Sequence, residues 1–271
     1  TETCKQIKTY VLICCPLSEN RLALRKKTLN PKTFVIGDIH GALQALLQVL
    51  ERAQVSTEDT LIFLGDYVDG WSQSPQVIDY LIHLNTTHRC IFLRGNHDDL
   101  CYRWLKYEES NETWLFHGGQ ASVDSYAKVP HNIVQRHLYF FEQLKNFHID
   151  SENRLFVHAG FTNQKGVENE YFEKMLYWDR SLWEMVLALD KNLTPNNEYY
   201  PKRLLQYKEI YIGHTALSRI GKSSPVNIAN LWNIDTGAAH KNPLTILDVD
   251  TKEFWQSDPV FQLYPNEKGR N

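Results

Sequence analysis

Five times along this chain, an apolar strand-like run stops at a glycine with Asp, Asn or His beside it. The junctions are "GDIHG" (37–41) after 33–36, "GDYVDG" (65–70) after 60–64 and "RGNHD" (94–98) after 91–93, then "HAG" (158–160) after 154–157 and "GHT" (213–215) after 209–212. Glycine at such a point lets the backbone turn sharply and approach a ligand closely. Strands of this kind alternating with helical segments fold as α/β layers, and ligands gather at the strands' carboxyl ends. The junctions are therefore expected along one edge of the sheet.

Between the junctions the periodicity is helical. "ALQALLQVLERAQ" (42–54) puts Leu43, Leu46, Leu47 and Leu50 on one face, and "PQVIDYLIHL" (75–84) carries Pro in its first turn. A helix is expected from about Asp98, residues 98–150 are mostly helical in pattern, and 170–189 is the longest helical stretch. Strand-like runs return at 209–215, 226–235, 243–250 and 253–257, while 190–203 is a polar loop. No repeat or linker divides the chain, so one domain over 32–271 is expected, preceded by an extension of uncertain role at 1–31.

Composition narrows the class. Of 271 residues, 42% are hydrophobic and 23% charged, as in a globular protein with ample core. The net charge of −3 does not suit a nucleic-acid or anionic-membrane surface. The five cysteines (Cys4, Cys14, Cys15, Cys90, Cys101) form no C-x-x-C pair. An odd, scattered set fits free thiols in a reducing compartment, so the expected location is cytoplasmic. "YVLICCPL" (10–17) is apolar but lacks a small-residue cleavage site and falls short of a membrane span, so a short strand or appended segment is expected there.

Taken singly, each junction also fits a turn aspartate, a helix cap or a histidine satisfied by backbone. Together they offer carboxylate, amide and imidazole ligands, a set that suits a pair of divalent ions such as manganese, iron or zinc. The order and wording of the blocks, with "WNIDTGA" (232–238) and "LTILDVDTKEFW" (244–255), resemble the phosphoprotein phosphatases of the calcineurin-like metallophosphoesterase superfamily, and within it the bacterial and phage-type serine/threonine protein phosphatases. The resemblance spans residue 33 to about 257.

The resemblance implies an α/β (α+β) fold: a β-sandwich flanked by helices, with a dinuclear metal site at one edge of the sheets. It implies that Asp38 and His40 hold the first ion, that Asp66 bridges both, and that Asn96, His158 and His214 complete the second. Manganese is the first expectation for the two ions, with iron or zinc as alternatives. Such a pair activates water as the nucleophile and clamps an in-line displacement at phosphorus. His97 matches the general acid that protonates the leaving oxygen, and Asp69 the carboxylate that orients it. Arg94 and Arg180 match arginines that grip phosphate oxygens. A helix-surface arginine beside Trp178 and Trp183 is the other reading of Arg180. His117, in "TWLFHGGQASVDSY" (113–126), stands where the family commonly has Asn; it reads either as a donor behind the ligands or as a helix-end residue. Asp235 is a candidate carboxylate behind the metals.

One departure bears on the substrate. Most protein phosphatases of the family read GDYVDRG, whereas this chain has Gly70 and Trp71 in the last two places. A phosphate clamp is missing there, and Trp71 either stacks on an aromatic leaving group or fills space. The first functional expectation is a metal-dependent phosphomonoesterase acting on phosphoserine and phosphothreonine, with dual specificity open. The alternative is a dinucleoside polyphosphate or other nucleotide phosphohydrolase, and a third reading is a non-catalytic binding protein of the same fold. The expected partner is a phosphoprotein or small phosphoester, with no nucleic acid and no membrane. The sequence does not speak to oligomeric state.

Overall fold

Ten short strands form two five-stranded sheets in the computed structural model, which describes residues 31–109 and 111–270. The strands are β1 (Thr33–Ile36), β2 (Thr60–Phe63), β3 (Arg89–Phe92), β4 (Phe147–Ile149), β5 (Arg154–Val157), β6 (Glu209–Ile212), β7 (Val226–Ile228), β8 (Leu231–Asn233), β9 (Thr245–Asp248) and β10 (Phe254–Gln256). One sheet runs β10-β9-β1-β2-β3 and the other β4-β5-β6-β8-β7. The pairs β1–β2, β2–β3, β5–β6 and β6–β8 are parallel; antiparallel strands finish the second sheet at both edges and the first at β9 and β10, while β3 is a parallel edge.

Side-chain alternation decides what each sheet packs against. Val35, Ile62, Phe156, Tyr211 and Leu247 join one buried cluster between the sheets, in which Phe156 and Tyr211 stack at 4.9 Å. Phe34, Ile36, Leu61 and Phe63 face the other way, into a cluster with the helices Leu43–Arg52 and Ser74–Leu84. On the second sheet Leu155, Val157, Ile210 and Ile212 pack with Leu182 and Val186 of the helix Ser181–Leu187. Strands buried on both faces read as continuous apolar runs, which is how they look in the sequence. The result is the expected two-sheet sandwich flanked by helices.

Three local expectations change. The helical stretch 170–189 is broken into Met175–Trp178 and Ser181–Leu187. Asp179 between them is extended, and its carboxylate accepts from the N–H groups of Ser181 and Leu182, both at 3.0 Å. A side chain that caps a new helix competes with continuing the old one. The run 226–235 is a hairpin: β7 and β8 pair with Ile228 opposite Leu231, and Ala229 turns at a φ of 54°. Phe147–Ile149 is an edge strand inside the span expected to be helical, too short to show alternation.

Among the described residues no helix is long and apolar enough to cross a membrane. Cys90 and Cys101 are free thiols. The segment "YVLICCPL" and Cys4, Cys14 and Cys15 lie outside the described residues, as does the expected extension apart from Pro31.

Candidate metal centre

All six sequence-expected ligands sit at the carboxyl ends of β1, β2, β3, β5 and β6, on loops braced by one another's backbone. Ile39 and His40 donate their N–H groups to the Asp66 carbonyl at 3.0 and 2.9 Å, and Gly213 donates to the His158 carbonyl at 2.8 Å. Gly95 has no room for a side chain, since a Cβ there would stand 2.1 Å from Asp66 Oδ1. His40, Asp66 and His214 each adopt a positive φ (51°, 52° and 65°). Non-glycine residues rarely do so, and such strain concentrates where function needs it.

Two ligand groups emerge, and Asp66 belongs to both: Asp38, His40 and Asp66 on one side, Asp66, His158 and His214 on the other. In each, the donor atoms lie within 4.8 Å of one another, and all are buried. Asn96 joins the second group, its Oδ1 lying 3.2 Å from His158 Nε2 and 2.9 Å from His214 Nδ1.

The donors suit cations because their lone pairs face one another. His40 Nδ1 lies 3.1 Å from the Val68 carbonyl and His158 Nδ1 lies 2.9 Å from the Leu64 carbonyl. A carbonyl only accepts, so each Nδ1 carries the proton and each Nε2 is left with a lone pair. Both Nε2 atoms then face Asp66 oxygens 3.5 Å away, a repulsive contact that a bound cation would relieve. Asp38 Oδ1 and His214 Nε2 are buried with no hydrogen-bond partner among the described residues. Burial, with Asp235 and Asp66 nearby, pushes Asp38 well above the carboxylate range. Burial and then Asp98 do the same to Asp66. Burial lowers His158 to about 3 and holds His40 and His214 well below the ordinary imidazole value. Crowded carboxylates beside neutral imidazoles are the donor chemistry of a divalent-ion pair.

His97 and Asp69 meet beside this cluster. His97 Nδ1 lies 2.6 Å from Asp69 Oδ2, and the His97 N–H donates to Asp66 Oδ1 at 2.9 Å. Trp114 Nε1 donates to Asp69 Oδ2 at 2.7 Å and Ser122 Oγ to Oδ1 at 2.6 Å. Burial pushes Asp69 up to about 7 against the pull of those donors. Burial, followed by Arg270, His117 and Arg180, lowers His97. The 2.6 Å contact makes them one hydrogen-bonded pair.

The arginines divide. Arg180 sits at the break between the helices Met175–Trp178 and Ser181–Leu187, donates to Thr215 Oγ1 at 3.0 Å, and acts electrostatically on His97, His158 and His214. It is not a helix-surface residue. Arg94 instead lies 3.6 Å from Asp99 and donates to the Phe141 carbonyl at 3.2 Å. Trp71 is fully buried, stacks on Tyr264 and donates Nε1 to the Ala238 carbonyl at 2.8 Å, so it fills space. His117 is exposed at the turn Leu115–Gly119. Asp235 is buried beside Asp38 and is itself raised to about 6 by burial.

Four residues at the site are absent from the sequence-based set. Asp98 gathers three backbone N–H groups, from Asp66 (2.7 Å), Gly95 (2.8 Å) and Tyr67 (2.8 Å), so the last letter of "RGNHD" ties two ligand loops together. The sequence suggests only a helix cap there. Trp114 and Ser122 belong to the loop that draws attention to His117, and nothing in their spacing marks them as Asp69 donors. Arg270 lies beyond the resembling span and has no sequence signal of its own.

Comparison with known proteins agrees with this architecture. A family model described as calcineurin-like phosphoesterase matches residues 31–263. The asymmetrical bis(5'-nucleosyl)-tetraphosphatase of Oceanobacillus iheyensis is 25% identical over 241 residues, covering 82% of this chain and 90% of that protein. A solved structure described as a candidate diadenosine tetraphosphatase superposes with a TM-score of 0.57 at 17% identity, covering 84% of this chain and 94% of its own. A serine/threonine protein phosphatase of Saccharomyces cerevisiae superposes at 0.54 with 13% identity, covering 86% and 81%. At these identities the two structures speak to the fold alone.

Proposed function

The chain belongs to the calcineurin-like phosphoesterase family, and from that premise we propose that this metal-dependent phosphoesterase hydrolyses nucleotide polyphosphates, with dinucleoside polyphosphates as the leading substrates. The observation that carries the hydrolase reading is Asp66, whose two oxygens serve two ligand groups at once. Asp38, His40, Asp66, Asn96, His158 and His214 would hold two divalent cations, which supply activation of water and neutralisation of phosphoryl charge when bound. His97 would take a proton from solvent on Nε2 and pass it to the leaving oxygen, while Asp69 keeps the ring oriented through Nδ1. Arg180 stabilises the phosphoryl oxygens from the side of His214. Arg94, engaged with Asp99, joins substrate only by leaving that partner.

The substrate class rests on two supports. The relative from Oceanobacillus iheyensis carries a nucleoside-tetraphosphatase name and aligns over most of both chains. Beside the cluster, Trp178 is 42% exposed and its ring lies 6.5 Å from that of His214, where a nucleobase can stack. This order reverses the first sequence expectation, which placed phosphoproteins ahead of nucleotides.

The test is kinetic. With manganese present, diadenosine tetraphosphate is expected to be turned over with a higher kcat/KM than a phosphoserine or phosphothreonine peptide. Trp178→Ala is expected to raise KM for the nucleotide and leave orthophosphate binding unchanged. Turnover of the phosphopeptide with no turnover of the nucleotide would restore the protein-phosphatase reading. His97→Ala is expected to lower kcat most for substrates with poor leaving groups; equal losses for good and poor leaving groups would remove His97 from the acid role.

A further inference from the structure

Arg270 reaches the metal cluster from outside the span matched by the family model. Its Nη1 lies 3.4 Å from His40 Nε2, and its Nε is buried without a hydrogen-bond partner among the described residues. Among the described residues it pairs with no carboxylate within ion-pair distance, although its charge is felt at Asp38, Asp66 and Asp69.

The segment that carries it is built to hold it there. The Arg270 N–H donates to the Ala239 carbonyl at 2.8 Å, and its own carbonyl lies 3.1 Å from His240 Nδ1. Glu267 accepts from the Ser72 N–H at 2.9 Å and from Ser72 Oγ at 2.6 Å, which straps the segment to the loop after β2. Trp71 covers Gly269 so closely that a Cβ there would stand 2.7 Å from the indole. The stem of Arg270 passes two glycines that cannot be enlarged in place. A Cβ on Gly118 would lie 2.8 Å from Arg270 Cγ, and one on Gly70 would lie 3.3 Å from it. Gly70 and Gly118 also have positive φ, at 94° and 108°.

A guanidinium facing His40 Nε2 has a neutral imidazole for company in the free protein. With a cation on that nitrogen, two positive groups face one another at a site where no acid pairs with the arginine. An anion between them turns the repulsion into two attractions. The planar guanidinium fork matches phosphoryl oxygens. We propose that Arg270 is a phosphate-binding residue of this site, delivered by the 264–270 segment into the space that Gly70 and Gly118 leave open. The proposal rests on the metallophosphoesterase reading above.

The test uses the full chain with saturating manganese. Orthophosphate binding is measured by calorimetry, kcat and KM on diadenosine tetraphosphate, and metal content and thermal melting alongside. Arg270→Ala is expected to weaken orthophosphate binding and raise KM by about 10- to 100-fold, the weight of one charge-assisted contact. Arg270→Lys should recover part of that loss, Glu267→Ala should show a smaller loss of the same kind, and manganese content should stay at the wild-type level. If Arg270→Ala melts early, Arg270→Gln, which keeps the stem, takes its place in the comparison. Unchanged orthophosphate binding in the alanine or glutamine variant overturns the proposal. Tighter binding or faster turnover does so too, because the arginine would then be blocking the site. Wild-type protein that neither binds orthophosphate nor hydrolyses any phosphoester overturns the underlying reading, a result distinct from an effect confined to the Arg270 variants.

Discussion

Trp71 decides whether the departure from the family motif is about substrate or about packing. Its side chain is fully buried, stacked at 5.3 Å on Tyr264 and bonded to the Ala238 carbonyl. A buried tryptophan removes about 200 Å² from water. At about 25 cal/mol per Å², truncation to alanine forfeits up to about 5 kcal/mol, the upper end of the range of about 3–5 kcal/mol for such changes. The orphaned Ala238 carbonyl adds about 1 kcal/mol. Trp71→Phe keeps a ring against Tyr264 and loses the smaller part of the indole together with the hydrogen bond, about 2 kcal/mol in all. Urea unfolding at fixed manganese concentration reads both values. Equal losses for the two variants, or a loss below about 1.5 kcal/mol for alanine, would refute the packing described here. The same variants should leave the ratio of kcat/KM for an aryl phosphate over an alkyl phosphate within about twofold of wild type. A selective loss of the aryl substrate in Trp71→Phe would mean that the indole stacks on the leaving group after all.

Two further expectations follow from buried groups. Ser122 Oγ donates to Asp69 at 2.6 Å, and removing it in Ser122→Ala should lower kcat about tenfold with KM unchanged, because only the orientation of His97 is touched; a KM effect with kcat intact would point to substrate contact. Burial pushes the Cys90 thiol up to about 12 and Cys101 well above its ordinary value. At pH 8 a thiol reagent should therefore modify neither in the native protein and both after denaturation. A thiol that ionises later when folded adds stability below its unfolded pKa of 9.0, and that stability is lost as pH rises toward 12. Urea midpoints should accordingly fall between pH 9 and 12 in wild type and fall less in Cys90→Ser, and identical profiles would reject the assignment.

How far the sequence carried the fold and the site depends on what each part needed. The strands and the helices Leu43–Arg52 and Ser74–Leu84 follow from apolar periodicity, since a buried strand or an amphipathic face leaves a local pattern. The six candidate ligands are visible because each stands at a strand end within two residues of a glycine, again a local feature. What stays hidden is non-local. Asp98 looks like a helix cap until the Asp66 loop is seen to lie against it. Trp114 and Ser122 reach Asp69 across 45 and 53 residues of chain, and no spacing rule covers such distances. The break at Asp179 was missed for a different reason. Its cap competes with a helical pattern that is strong on both sides, so periodicity alone reads straight through it.

The ligand loops also show what holds residues 69–71 in place. The Gly70 N–H donates to the Gly118 carbonyl and the Trp71 N–H to the His40 carbonyl, both at 3.0 Å. Asp69 is held by its own N–H bonds to Ser74 and Ser122. The donors are all backbone N–H groups and the acceptors are two carbonyls and two serine hydroxyls, so none of these anchors uses a side chain at position 70. Strain runs through the same loops, with positive φ at His40, Asp66, Asp69 and His214, each costing about 1–3 kcal/mol. That strain persists because neighbouring loops brace one another, and bound cations would give the buried carboxylates an attractive partner. A side chain on residue 70 contributes to none of this. Glycine there leaves these anchors in place, and the stem of Arg270 passes beside it, its Cγ 3.3 Å from where a Cβ on Gly70 would stand.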